Sequence, residues 1–104
     1  MINKVVWNKR ALKEIRKELG FLIYRLQLGE ILRMPFSRPM PTLSQGCHEL
    51  RAKGEDGNYR VFYYINIKEE VLIFHAFKKK TPKTPQKDLD QGKKNLKEML
   101  DEKE

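Results

Sequence analysis

The chain has 104 residues, with 22 Lys and Arg against 14 Asp and Glu, giving a formal net charge of +8. That length fits one domain over residues 1–104 with a modest core, and the charge favours an anionic partner such as nucleic acid. A single cysteine, Cys47, excludes an intrachain disulfide and suits a reducing cytoplasm; with two histidines it is too little for a structural zinc site, so no metal and no cofactor are expected. No run approaches the ~20 apolar residues of a membrane span, and no apolar signal core is seen at the N-terminus.

Taken in order, Val5-Val6-Trp7 favours a short strand. Asn8 is placed to cap a helix in which Ala11, Leu12, Ile15 and Leu19 recur at helical spacing, with Lys9, Arg10, Lys13, Arg16 and Lys17 on the other face. Gly20 reads as a break. A second helix over 21–33 carries Leu22, Ile23, Leu26, Ile31 and Leu32, so the two form a helical hairpin laid on a sheet. Residues 34–46 hold Pro35, Pro39 and Pro41, which suit neither a helix nor a central strand; the segment reads as a surface crossover that carries Arg38.

Three strands follow, over 48–53, 59–66 and 71–77, with a turn at Asp56-Gly57. In the first, Leu50 and Ala52 point one way and Glu49, Arg51 and Lys53 the other. In the second, Tyr59, Val61, Tyr63 and Ile65 share one face, and Arg60, Phe62 and Tyr64 the other. The third is apolar on both faces and reads as central. Short connections make the three one antiparallel sheet. After an exposed loop with Lys78, Lys79, Lys80 and Lys83, Thr84-Pro85 starts a last helix with a stripe of Leu89, Leu96, Met99 and Leu100. Gly92 weakens that helix by about 1 kcal/mol relative to alanine.

The ordered combination Glu49-Leu50-Arg51, Tyr59-Arg60-Val61-Phe62-Tyr63 and His75-Ala76-Phe77-Lys78-Lys79-Lys80-Thr81 with Thr84-Pro85 resembles the RelE/HigB-type toxins of bacterial toxin–antitoxin pairs, the phage-associated HigB branch above all. The resemblance implies an α+β fold: a small antiparallel sheet of about four strands with an N-terminal helical hairpin and a C-terminal helix. It implies a ribosome-dependent endoribonuclease that cuts mRNA, acts in the cytoplasm and is silenced by a cognate antitoxin of the helix-turn-helix, HigA-like kind. Arg60 matches the family's phosphate-binding arginine, and Lys79 falls where a basic residue follows the last strand. Two positions depart from the RelE branch: Glu49 stands where that branch has a lysine base, and Pro85 lies about where it has a tyrosine.

The residue chemistry can be read beside this. Metal-free RNA cleavage removes the 2′-hydroxyl proton, stabilises a more negative phosphorane and protonates the leaving 5′-oxygen. Arg60 and Lys79, from the adjacent ends of paired strands, are expected to hold the scissile phosphate with help from Arg51 and Lys80, the arginine through its fixed fork of donors. Such cations belong on the rim or open face of the scaffold. Lys53, Lys78 and Lys83 are further candidate RNA contacts, and Tyr64 a candidate stacking surface for an unpaired base. Glu49 has two readings, proton transfer or an ion pair with Arg51 or Arg60 across strands. His75, within the last strand, likewise has two readings, proton transfer or a hydrogen-bonded core histidine. The rival to catalysis is a basic RNA- or ribosome-binding module, or a degenerate toxin acting only through its antitoxin-like partner.

Overall fold

Alternating apolar side chains organise one sheet with a buried layer on each face. In the computed structural model, which describes residues 3–8, 17–54 and 57–103, the strands are β1 (Val5–Trp7), β2 (Ser37–Pro39), β3 (Cys47–Gly54), β4 (Gly57–Ile65) and β5 (Val71–Lys79). Their order is β1-β5-β4-β3-β2. Two helices, α1 (Lys17–Gln27) and α2 (Gln86–Lys103), complete the described α+β fold. None of the described helices is long and apolar enough to cross a membrane.

The sheet departs from four antiparallel strands in two ways. β1 joins it parallel to β5, with Val5 opposite Val71. The proline-rich crossover adds β2, antiparallel to β3 at the outer edge. Proline is tolerated there because an edge strand has one side free of ladder hydrogen bonds. The helices also differ from expectation. Gly20 lies inside α1 rather than at a hairpin joint. Burial of Leu19, Leu22, Ile23 and Leu26 outweighs the loss of about 1 kcal/mol that an internal glycine brings. α1 then stops at Gln27, where Gly29 takes φ +87° and its N–H donates to the Leu26 carbonyl at 3.0 Å. The expected first helix over 9–16, with Leu12 and Ile15, lies outside the described residues, as does Asp56.

On one face, α1 packs Leu19, Leu22, Ile23 and Leu26 against Leu50, Tyr59, Val61, Tyr63, Val71 and Ile73. On the other, α2 brings Leu96 and Met99 against Phe62, Leu72, Phe74 and Phe77, with Cys47 and Met40 alongside. β5 feeds both layers, as its apolar run predicts. Burial pushes the Cys47 thiol up to about 11, which leaves it an inert packing group.

A bulge fixes α2. Phe62 faces His75 but Tyr63 faces Ile73, so Phe74 has no partner on β4. The Phe74 carbonyl instead accepts from Asn95 Nδ2 at 2.8 Å, and Asn95 Oδ1 accepts from Gln91 Nε2 at 2.8 Å. Gly92 lets the helix lie close: a Cβ there would sit 2.8 Å from Phe62 Cδ2. Phe62 is fully buried and has nowhere to move. Gly92→Ala is therefore expected to lower stability by about 1–2 kcal/mol, despite the better helix propensity of alanine. Thermal melts would show this; a rise in Tm would overturn the packing argument.

Candidate active site

Strand alternation gathers the polar residues on the α2 side of the sheet, at the end where β2, β3 and the start of β4 meet. There Arg38 lies opposite Glu49, Arg51 opposite Arg60, and Lys53 opposite Asn58. Across the next ladder Asn58 faces Lys79 and Arg60 faces Phe77. Arg60 and Lys79 are thus diagonal neighbours on one face. The apolar contacts of α2 fall on Phe62, Phe74 and Phe77, and its first turn reaches the cationic end through Leu89, which lines a hollow with Arg38 and Thr84.

Glu49 is the centre of this group and has no exposed surface. Its Oε1 accepts from Arg38 Nε at 3.1 Å, with Arg60 Nε at 3.5 Å and Arg51 Nε at 3.8 Å. Its Oε2 accepts from the Thr84 hydroxyl at 3.3 Å. A buried carboxylate is tolerable only with such compensation. Lys79 also lies within electrostatic reach of Glu49, Arg38, Arg51 and Arg60. Four cations around one carboxylate leave three positive charges uncompensated.

Burial sets the electrostatics. Desolvation is the largest influence on Arg60 and holds its guanidinium below the ordinary value; Glu49 pulls the other way, and Arg51 and Arg38 add to the lowering. The Lys79 ammonium is likewise held below the ordinary lysine range, first by desolvation, against the pull of Glu49. Arg51 Nε and Arg60 Nε are buried and donate no hydrogen bond among the described residues. Buried donors are normally paired, so the cluster holds hydrogen-bonding capacity in excess of its internal acceptors. A groove of about 300 Å³ opens beside it, lined by Arg51, Arg60, Lys53, Asn58, Ala52 and Phe36 among others. Chemically this is an anion cradle: planar, forked donors fixed by an internal counter-ion next to open space.

The expected residues divide into those within this site and those outside it. Arg60, Lys79, Glu49 and Arg51 come together, and Lys53 stands exposed on the groove rim. Arg60 and Lys79 are not rim residues, being 6% and 7% exposed; the carboxylate beneath them makes their burial possible. Lys78 belongs to the opposite face, with its Nζ 6.0 Å from the Tyr59 ring centroid. Tyr64 is also away from the cluster. It pairs with Cys47 and Leu72 four residues along β4, with Gly46 against its ring, and so does not stack beside Arg60. Lys80 and Lys83 are exposed on the loop that follows β5. His75 Nε2 donates to the Asp88 carboxylate at 2.8 Å, and its ring packs with those of Phe62 and Phe77. Of its two readings, this is the hydrogen-bonded core histidine.

Sequence reasoning missed two members. Arg38 was hidden because only the β2–β3 register sets it against Glu49. Thr84 reads locally as a helix cap, whereas its hydroxyl reaches the carboxylate 35 residues away in sequence. Among the described residues no group of three or more His, Cys, Asp and Glu is placed to hold a metal ion.

Comparison with known proteins adds a family and a fold. The family model described as "Phage derived protein Gp49-like (DUF891)" matches residues 9–97. The chain is similar in structure to a mutant of the E. coli toxin RelE in its free state, with a TM-score of 0.51 at 21% sequence identity, over 75% of this chain and 84% of that one. At that identity the likeness is one of fold. No curated protein matches the chain by sequence.

Proposed function

The chain belongs to the Gp49-like family of phage-derived proteins, and from that premise we propose that it is the toxin of a toxin–antitoxin pair, an endoribonuclease that cuts mRNA on the ribosome. The observation that carries this reading is the excess of fixed cations around buried Glu49, beside an open groove. Arg60 and Lys79 take the scissile phosphate, with Arg51 beside them. The 2′-hydroxyl gives its proton to solvent as its oxygen bonds the neighbouring phosphorus, negative charge grows on the phosphorane, and the P–O5′ bond breaks with the 5′-oxygen taking a proton from solvent, leaving a 2′,3′-cyclic phosphate. Cations fixed where that charge develops lower the barrier without reorganising. Lys53, Lys80 and Lys83 guide the strand in from the rim. Full burial and two engaged oxygens favour a counter-ion role for Glu49 over proton transfer. Glutamate at this position also keeps the reading on the HigB branch of RelE-like toxins.

The partner is a cognate antitoxin, a helix-turn-helix protein of the HigA kind, whose acidic or apolar segment covers part of a chain with net charge +8. The second reading, a basic RNA-binding module without catalysis, draws support from one observation. Glu49 and His75, the candidates for proton transfer, are both engaged inside the protein. Induced expression in cells with mapping of mRNA 5′ ends separates the two. The toxin reading expects growth arrest with new ends inside translated regions. Arrest without new ends would leave the binding module, and unimpeded growth would remove the toxin reading.

A further inference from the structure

Apart from the Arg51–Arg60 groove, and sharing none of its lining residues, lies a second hollow of about 390 Å³. Arg38, Lys83, Thr84, Pro39, Pro41 and Leu89 are among its lining residues. Two of these are tied to the carboxylate: Arg38 through Nε at 3.1 Å and Thr84 through its hydroxyl at 3.3 Å. The Arg38 side chain is nevertheless 40% exposed. Its Nε is the only nitrogen with a hydrogen-bond partner among the described residues, so the donors on Nη1 and Nη2 remain for a ligand. Lys83 is exposed but held in place: the Thr81 hydroxyl donates to its carbonyl at 2.7 Å, and the next residue, Thr84, is bonded to Glu49. Proline rings and Leu89 supply the apolar wall.

We infer that Arg38 and Lys83 form a second phosphate subsite, so that two successive phosphates of one unpaired strand straddle buried Glu49. Arg60 with Lys79 takes one of them, and Arg38 with Lys83 the next. The inference rests on the RNA-cleaving reading and extends it to the substrate's neighbouring phosphate. β2 and β4 are two strand spacings apart, about 10 Å, and arginine and lysine side chains close much of that span. An unpaired strand is favoured because both hollows combine cations with flat apolar surface, against which unstacked sugars and bases pack. Glu49 serves both subsites at once, since its Oε1 lies 3.1 Å from Arg38 Nε and 3.5 and 3.8 Å from the Nε atoms of Arg60 and Arg51.

The test is binding of a single-stranded oligodeoxynucleotide, which has no 2′-hydroxyl and is not cut, measured against salt concentration. Each phosphate contact on a single strand contributes ~0.7 to the slope of log affinity against log salt. Arg38→Gln keeps an amide donor for Glu49 and is expected to flatten the slope by ~0.7. Lys83→Gln, on an exposed loop side chain that folding does not need, should do the same. Lys94→Gln, exposed on α2, removes the same charge away from the site and should leave the slope unchanged. An unaltered slope in Arg38→Gln and Lys83→Gln, or an equal loss in Lys94→Gln, would overturn the subsite while leaving the Arg60 assignment standing. Absence of any salt-dependent binding by the unmodified protein would overturn the RNA reading itself, and the subsite with it.

Discussion

Glu49→Leu is expected to destabilise the protein by about 3–5 kcal/mol, the usual consequence of leaving buried charge uncompensated. Arg60 and Lys79 are 6% and 7% exposed, and Glu49 is the negative charge among the described residues that counters the desolvation of both, with the Tyr59 carbonyl accepting from Arg60 Nη1 at 3.1 Å. Without it, four cations face one another. The Lys79 ammonium, already below its ordinary range chiefly through burial, would fall further. The sign of the pH dependence follows. A lysine with its folded-state pKa depressed binds fewer protons folded than unfolded, from that lowered value up to the ordinary ~10.4. Stability therefore rises with pH through that window, and the leucine variant should gain more on going alkaline than the unmodified protein does. Sulfate or inorganic phosphate should restore part of the loss by supplying the missing anion. Urea denaturation with and without sulfate, at matched ionic strength, measures this. A loss below 1 kcal/mol with no anion rescue would mean that Glu49 is not the counter-ion on which the cluster rests.

Arg60→Ala is expected to have the largest effect on activity, a loss of a hundredfold or more in cleavage rate, comparable to removing one preorganised donor for a developing oxyanion. Its effect on the fold should be small, about 1 kcal/mol. Removing one partner of a buried pair is severe when the other is left alone, but here Glu49 keeps Arg38 at 3.1 Å and Arg51 at 3.8 Å. The substitution also relieves repulsion from Arg51 and Arg38 and the desolvation of Arg60 itself. Arg60→Lys should restore little of the rate, because a point charge replaces a planar fork. A melt close to that of the unmodified protein, together with lost cleavage, is the signature of a substrate contact rather than a structural one.

Much of the scaffold was legible because it depends on patterns within single elements. Alternation in 59–66 correctly sent Tyr59, Val61 and Tyr63 to one face and Arg60 and Phe62 to the other, and the two-faced apolar run of β5 placed it inside the sheet. What was hidden depends on pairing between distant segments. β2 exists only because Ser37, Arg38 and Pro39 find β3, and nothing in a proline-rich stretch announces that partner. The continuity of α1 through Gly20 is a tertiary override of a local break signal, driven by the apolar residues on either side. Glu49 sits on the polar face of its strand by alternation, which left proton transfer and a cross-strand ion pair both open. Its complete burial arises from the stems of arginines on three strands and from Thr84 beyond the sheet. The juxtaposition of Arg60 and Lys79 was therefore readable from their positions at paired strand ends. The counter-ion network that fixes them was not.

In the proposed reaction the cations around Glu49 hold a phosphate during strand cleavage. Single-turnover cleavage of a ribosome-bound mRNA by purified unmodified protein and Arg60→Ala, with thermal melts of both, tests it most directly. Cleavage by the unmodified protein, a drop of at least a hundredfold in Arg60→Ala, and closely similar melts are expected. Full cleavage by a folded Arg60→Ala variant would contradict it and would remove the phosphate assignment of Lys79 as well.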